Sequence, residues 1–150
     1  MKYRVVNDVT MHYHGHVLHR IRAMKDIPEY GVKVGDLGGW VEGSHNLSQD
    51  GRCWIGRDAR VYERAYVGED ARVFGNAELR GTALADGQSA VFGNTLMTER
   101  SHVGGHVIVY GHARLSGDEW YHHFESISDK PRTGKPVAVK ASSGLSDCKA

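Results

Sequence analysis

A six-residue beat runs without a slip from Cys53 to Asp118 and constrains this chain more than anything else in it. Stepping by six from Ile55 gives Val61, Val67, Val73, Leu79, Ala85, Val91, Met97, Val103, Val109 and Leu115. Two places before each stands Cys53, Ala59, Ala65, Ala71, Ala77, Ala83, Ser89, Thr95, Ser101, Val107 or Ala113, almost always a small residue. No helix fits this period, because about 3.6 residues per turn would carry the aliphatic position round every face. A short strand plus a corner does fit. Alternate residues of a strand share a face, so Ala59 and Val61 point one way while Arg60 and Tyr62 point the other. The corners are often glycine plus a polar residue, as at Gly75-Asn76, Gly93-Asn94, Gly105-His106, Gly111-His112 and Gly117-Asp118. Glycine and asparagine tolerate the positive φ that a sharp corner needs.

Three such strands close a triangle of eighteen residues, three repeats of six. The expected fold is all-β: a parallel β-helix with aliphatic side chains filling a prism and small β caps at both ends. The pattern resembles the hexapeptide-repeat superfamily, whose solenoid is a left-handed β-helix; the handedness is what the resemblance implies. A narrower resemblance rests on Leu18-His19-Arg20-Ile21-Arg22-Ala23, Gly35-Asp36-Leu37-Gly38-Gly39-Trp40-Val41-Glu42, Asn46-Leu47-Ser48 and Cys53-Trp54-Ile55. Together they are similar to a group of phage- and prophage-encoded hexapeptide-repeat proteins of unassigned biochemistry. These share a short N-terminal β segment, a glycine-rich entry and then the solenoid. The resemblance implies a phage-linked role and carries no catalytic residues with it.

The expected organisation is an N-terminal β cap over 1–36, the β-helix over 37–118, and a capping strand with a mobile tail over 119–150. Tyr3–Val6 and Val17–Arg22 read as strands, with His14-Gly15 as the turn before the second. Val41 and Leu47 lie six apart but Leu47 and Ile55 lie eight apart, so two extra residues bulge near Gln49-Asp50-Gly51. After Asp118 the beat is expected to stop. Trp120–Ile127 reads as one closing strand, and the Pro- and Lys-containing stretch from Ser128 as tail, with Val137–Val139 able to add a short strand.

Charge and cysteines narrow the partners. A net charge of +1 over 150 residues offers no field for nucleic acid or an anionic membrane. Met1-Lys2-Tyr3-Arg4 reads as no leader, and no apolar run approaches the roughly 18 residues of a membrane span. Cys53 falls on an inward position and Cys148 in the tail, so no disulfide is expected and a cytoplasmic location is the simplest reading.

Residues eighteen apart stack into three faces. The first presents Trp54, Gly56, Arg72, Phe74, Ala90, Phe92, Ile108 and Tyr110, with Phe74, Phe92 and Tyr110 in one register. Contiguous apolar residues facing outward mark a contact. It can be made by the chain's own ends, by a foreign protein or ligand, or by a second subunit, a homotrimer being what the superfamily resemblance implies. The second face carries Arg60, Tyr62, Glu78, Arg80, Leu96, Thr98, Arg114 and Ser116, a mixed solvated surface. The third carries Tyr66, Gly68, Leu84, Asp86, His102 and Gly104.

Candidate chemistry is thin. Superfamily acyltransferases use a histidine as general base beside a coenzyme A groove between subunits, which would nominate His102, His106 or His112. The acyltransferases extrude a loop from their coils, whereas Cys53 to Asp118 has no interruption. His106 and His112 read better as polar corner residues. His12, His14 and His16 alternate like ligands, but a turn at His14-Gly15 breaks the geometry, so no metal is expected. The leading expectation is a non-catalytic phage-type binding protein without a cofactor. It would present a rigid surface to a host protein and counteract a host function, or hold a small ligand such as a nucleotide between subunits. Trp54, Arg72, Phe74, Phe92, Ile108 and Tyr110 are its candidate interface. The alternatives are a coenzyme A-dependent O- or N-acyltransferase and a structural or assembly element.

Overall fold

The computed structural model describes residues 1–123 and 126–128 of the chain. The expected tail, with Val137–Val139 and Cys148, lies outside those residues. The fold is a parallel β-solenoid of about five turns, with eighteen residues per coil. Its first face stacks Trp54–Ile55, Arg72–Val73, Ala90–Val91, Ile108–Tyr110 and Ser126–Ser128. The third stacks Tyr66–Val67, Leu84–Ala85, His102–Val103 and Trp120–Tyr121. The second begins with an antiparallel hairpin, β1 (Tyr3–Tyr13) and β2 (His16–Ala23), which pairs onto β3 (Leu37–Val41). From β3 the face continues in parallel through Arg60–Val61, Glu78–Leu79, Leu96–Met97 and Arg114–Leu115.

One hydrogen-bond rule builds the coils. From Trp54 on, the outward-facing strand residues and corner residues such as His106 donate their N–H to the carbonyl seventeen residues on; in the first coil, two residues longer, Trp40 reaches Ala59 and Ser48 reaches Val67. Trp54 bonds Ala71 at 3.1 Å, Arg72 bonds Ser89 at 3.0 Å, and His106 bonds His123 at 3.1 Å. The two inward registers are sealed: every aliphatic position from Ile55 to Val109 is fully buried, and so is every alanine among the small positions. Where the small position is Ser89, Thr95 or Ser101, the hydroxyl donates to the carbonyl three residues back at 2.8 Å, so burial leaves no orphan.

The corners take positive φ, and two kinds of residue supply it. Gly93 has φ +73° and no room for a side chain, since a Cβ would sit 2.7 Å from the Gly111 nitrogen. At three corners glutamate takes the same conformation: Glu63, Glu69 and Glu99, with φ 59°, 54° and 58°. Their carboxylates accept the N–H of the glycine eighteen residues on, Gly81, Gly87 and Gly117, at 2.8, 2.7 and 2.6 Å. Left-handed backbone costs a non-glycine residue about 1–2 kcal/mol, and a charge-assisted bond to the next coil offsets a cost of that size.

The N-terminal segment closes one end of the solenoid. At the lower end Tyr3, Ile21, Ala23, Ile27 and Val32 join the core. Lys2 is buried and donates Nζ to the Cys53 carbonyl at 2.8 Å and to those of Asp50 and Gly51 at 3.3 Å. Burial pushes the Cys53 thiol up and the Tyr3 phenol up to about 12. The expected bulge is present after a short 3-10 turn at Ser44–Asn46. The 3-10 turn is anchored by the buried Asn46, whose Oδ1 accepts from the Glu42 and Gly43 amides and whose Nδ2 donates to the Glu63 and Ala65 carbonyls.

At the upper end the structure corrects the expectation that the beat stops at Asp118. Tyr121 and Ile127 continue the buried register of Leu115 in steps of six, and both segments pair in parallel with the coil below. Trp120–Ile127 is therefore two rungs on different faces, not one closing strand. The residue types had changed while the geometry had not: the buried Glu119 stands in a small position and Tyr121 in an aliphatic one.

Asn46→Ala leaves the Glu42 and Gly43 amides, both part-buried, and the buried Ala65 carbonyl without this partner, while the Glu63 carbonyl keeps His45; a buried group left unsatisfied costs about 1–3 kcal/mol and a part-buried one less. Urea unfolding should show a loss of about 2–4 kcal/mol with an unchanged m-value.

Candidate functional site

The first face bears out the stacking read from its spacing. Phe74 and Phe92 lie 4.7 Å apart at 10°, and Phe92 and Tyr110 lie 5.8 Å apart at 17°, forming one continuous column of rings. Parallel pairing of Arg72, Ala90 and Ile108 sets that column, because identical registers on successive rungs superpose their side chains. The chain's own N-terminal segment covers only the lowest part. Tyr30, following a short turn at Pro28–Tyr30, donates its hydroxyl to the Asp70 carbonyl. The Arg72 guanidinium lies between the Tyr30 ring at 4.6 Å and the Phe74 ring at 4.4 Å. Trp54 is buried beneath Gly38, where a Cβ would meet its ring at 2.7 Å. Tyr30, Trp54, Arg72 and Phe74 border a hollow of about 180 Å³ at this junction. Higher up, Phe92 and Tyr110 are half-buried by one another and Ile108 is exposed.

The third face holds a cluster that sequence reasoning missed. His102 Nε2 lies 3.1 Å from Asp86 Oδ1. The His122 ring meets His102 edge-on at 4.2 Å, and Trp120 lies 5.7 Å from His102 with 64% of its surface exposed. Gly104 makes room at the centre: a Cβ there would lie 2.6 Å from Asp86 Oδ1 and 3.3 Å from His122 Nδ1. Burial holds the His122 imidazole below its usual range, with His102 adding to the effect and Asp86 opposing it. Lower on this face an open groove of about 650 Å³ runs past Tyr66, Asp50, Glu69 and Asp86. The eighteen-residue spacing of Leu84, His102 and Trp120 and of Asp86, Gly104 and His122 was available in the sequence. Ending the beat at Asp118 hid it.

The three nominated histidines do not form one site. His102 stands on the third face, whereas His106 and His112 occupy two different exposed corners. The hairpin turn at His14-Gly15 separates His12, His14 and His16 as expected, and among the described residues no group of three or more His, Cys, Asp or Glu could hold a metal ion. The second face, expected to be a solvated surface, is partly covered instead. Tyr62 is 1% exposed, and the tip of the β1–β2 hairpin lies over it. No helix among the described residues is long and apolar enough to cross a membrane.

His122 supplies a titration on the third face. Its half-protonation point lies below the usual 6.5, and a protonated imidazole beside an indole quenches its emission. Trp120 fluorescence should therefore fall with a component whose midpoint lies under pH 6.5; all pH dependence from this cluster should vanish in Trp120→Phe, and the component under pH 6.5 should be lost in His122→Ala, which leaves His102 beside the indole.

Compared with known sequences, the chain matches no protein-family model and no curated protein.

Proposed function

We propose that this chain is a non-catalytic binding protein of the phage type. It associates with copies of itself through the first face and offers the resulting rigid assembly to a host protein, or to a small ligand held between subunits. The supporting observation is the Phe74–Phe92–Tyr110 column with Ala90 and the exposed Ile108 beside it, a flat apolar strip whose upper part the described residues of the chain do not cover. Aromatic surface on an inflexible sheet binds at little conformational cost, because the rungs are ordered before contact. A homotrimer is the assembly this reading adopts, by closed rotational symmetry. Light scattering on the wild type and on Phe92→Glu tests it. A wild-type trimer with a folded monomeric variant supports the reading. A monomeric wild type, with the variant equally folded and soluble, removes self-association and leaves the strip free for a foreign partner.

A second reading is a coenzyme A-dependent acyltransferase, and one observation favours it: the 3.1 Å contact between Asp86 and His102, an acid–imidazole pair of the kind that orients a general base. It requires acetyl-coenzyme A binding by calorimetry and a turnover that His102→Ala reduces by about 100-fold or more while thermal stability stays unchanged. Absence of cofactor binding removes this reading.

A further inference from the structure

Independently of that function, the second face carries a contact that coil geometry does not require. β2 pairs with β3 only from His19 onward, so the tip of the hairpin, Tyr13 to His16, is attached to the coils by side chains. His16 bridges two carboxylates: Nδ1 lies 2.9 Å from Glu42 Oε2, and Nε2 lies 3.1 Å from Glu63 Oε2. Neither carboxylate is free to turn away. Glu42 Oε1 accepts the Glu63 N–H and Glu63 Oε1 accepts the Gly81 N–H, both at 2.8 Å. The second attachment is Tyr13, whose hydroxyl donates to Glu78 Oε1 at 2.7 Å. Its ring stands over the Arg60 guanidinium at 4.6 Å and meets Tyr62 edge-on at 5.8 Å. Val9, Thr10, His12, His14, Gly15 and Val17 are exposed.

An imidazole with a carboxylate at each nitrogen needs two N–H donors, and only the protonated ring has both. The neutral ring sets a lone pair against one of the two glutamates. We propose that the hairpin tip is a proton-operated latch, closed while the His16 imidazolium bridges Glu42 and Glu63 and released when that proton leaves. Release uncovers Tyr62 and Glu78, together with Arg60, whose Nε lies buried without a hydrogen-bond partner. The groups facing His16 are Glu42 and Glu63 from the coils, the Tyr62 ring at 5.1 Å, and Tyr13 and His14 on the hairpin. His45 is near, with its Nε2 2.9 Å from the Glu63 carbonyl, and Glu78, Arg60 and Arg80 act through Tyr13 and Tyr62.

The direction of the switch follows from linkage. The hydrogen bond that His16 donates to Glu42 lifts its pKa above the usual 6.5 against a smaller opposing effect of burial, with Glu63 adding to it. A group raised in the closed state stabilises that state fully below its open-state value and loses the effect as pH rises through the closed-state value. The latch is therefore shut in mild acid and opens towards alkaline pH.

Hydrogen exchange of the amides of residues 10–17, corrected for intrinsic rates, tests this alongside the His16 ring titration by NMR. Protection at the tip should fall with the His16 midpoint, about tenfold for each pH unit by which the closed-state value exceeds the open one. Amides of Val73 and Val91 in the coils should not change. His16→Gln should abolish the pH step. Tyr13→Phe should lower tip protection at every pH yet keep the step, which separates loss of an anchor from loss of the switch. Tip protection that ignores the His16 titration, or a step that persists in His16→Gln, overturns the proposal.

Discussion

The structure depends on one repeated bond, from an N–H to the carbonyl seventeen residues on. It makes each coil the template for the next, and it puts residues eighteen apart directly above one another. The sealed core follows, because an aliphatic residue placed once is placed at every level. So do the surface columns: the Phe74–Phe92–Tyr110 rings, the glutamate and glycine corners, and the Asp86–Gly104–His122 register are one geometric rule applied to different side chains. A solenoid differs here from a globular sheet, in which neighbouring side chains come from unrelated parts of the sequence.

The ends are where this rule must be broken. A coil with nothing beneath it leaves carbonyls and amides unpaired, and the chain answers with side chains as well as strands. Lys2 and Asn46 bond the main chain of the lowest coils in place of missing rungs, and Gln49 accepts from the Lys2 and Tyr3 amides while donating to the Tyr3 carbonyl. Buried amide and ammonium groups are tolerable here only because every polar atom has a backbone partner. The hairpin does more than cover the end, since it extends the second face and then leans over it.

Most of the fold was legible in the sequence because the two inward registers are specified redundantly. Losing the pattern at one rung, as with Val107 in a small position, does not obscure the other ten. The turn at His14-Gly15, the bulge before Cys53 and the stacked rings on the first face were all readable from spacing and residue type. The upper coil was not. Glu119 and Tyr121 occupy buried positions with side chains of the wrong class, so the pattern disappears while the pairing persists. The third-face cluster vanished with it. The covering of the second face was hidden for a different reason. Contacts such as Tyr13 to Glu78 join residues 65 apart through the way a hairpin leans, and no local period encodes that.

The uniform seventeen-residue step also bears on how such a chain reaches its structure. All-β proteins fold slowly because their strand pairs close long and varied loops. Here each coil closes a loop of the same length on a surface already formed. Dividing seventeen by the chain's 150 residues gives a relative span of roughly 0.11, in the range of helical bundles rather than of β-sandwiches. Adding another coil would leave the loop to be closed unchanged, so assembly speed is uncoupled from length. Once a first coil is nucleated, the parallel coils that follow it are free to grow by propagation, in the manner of a helix.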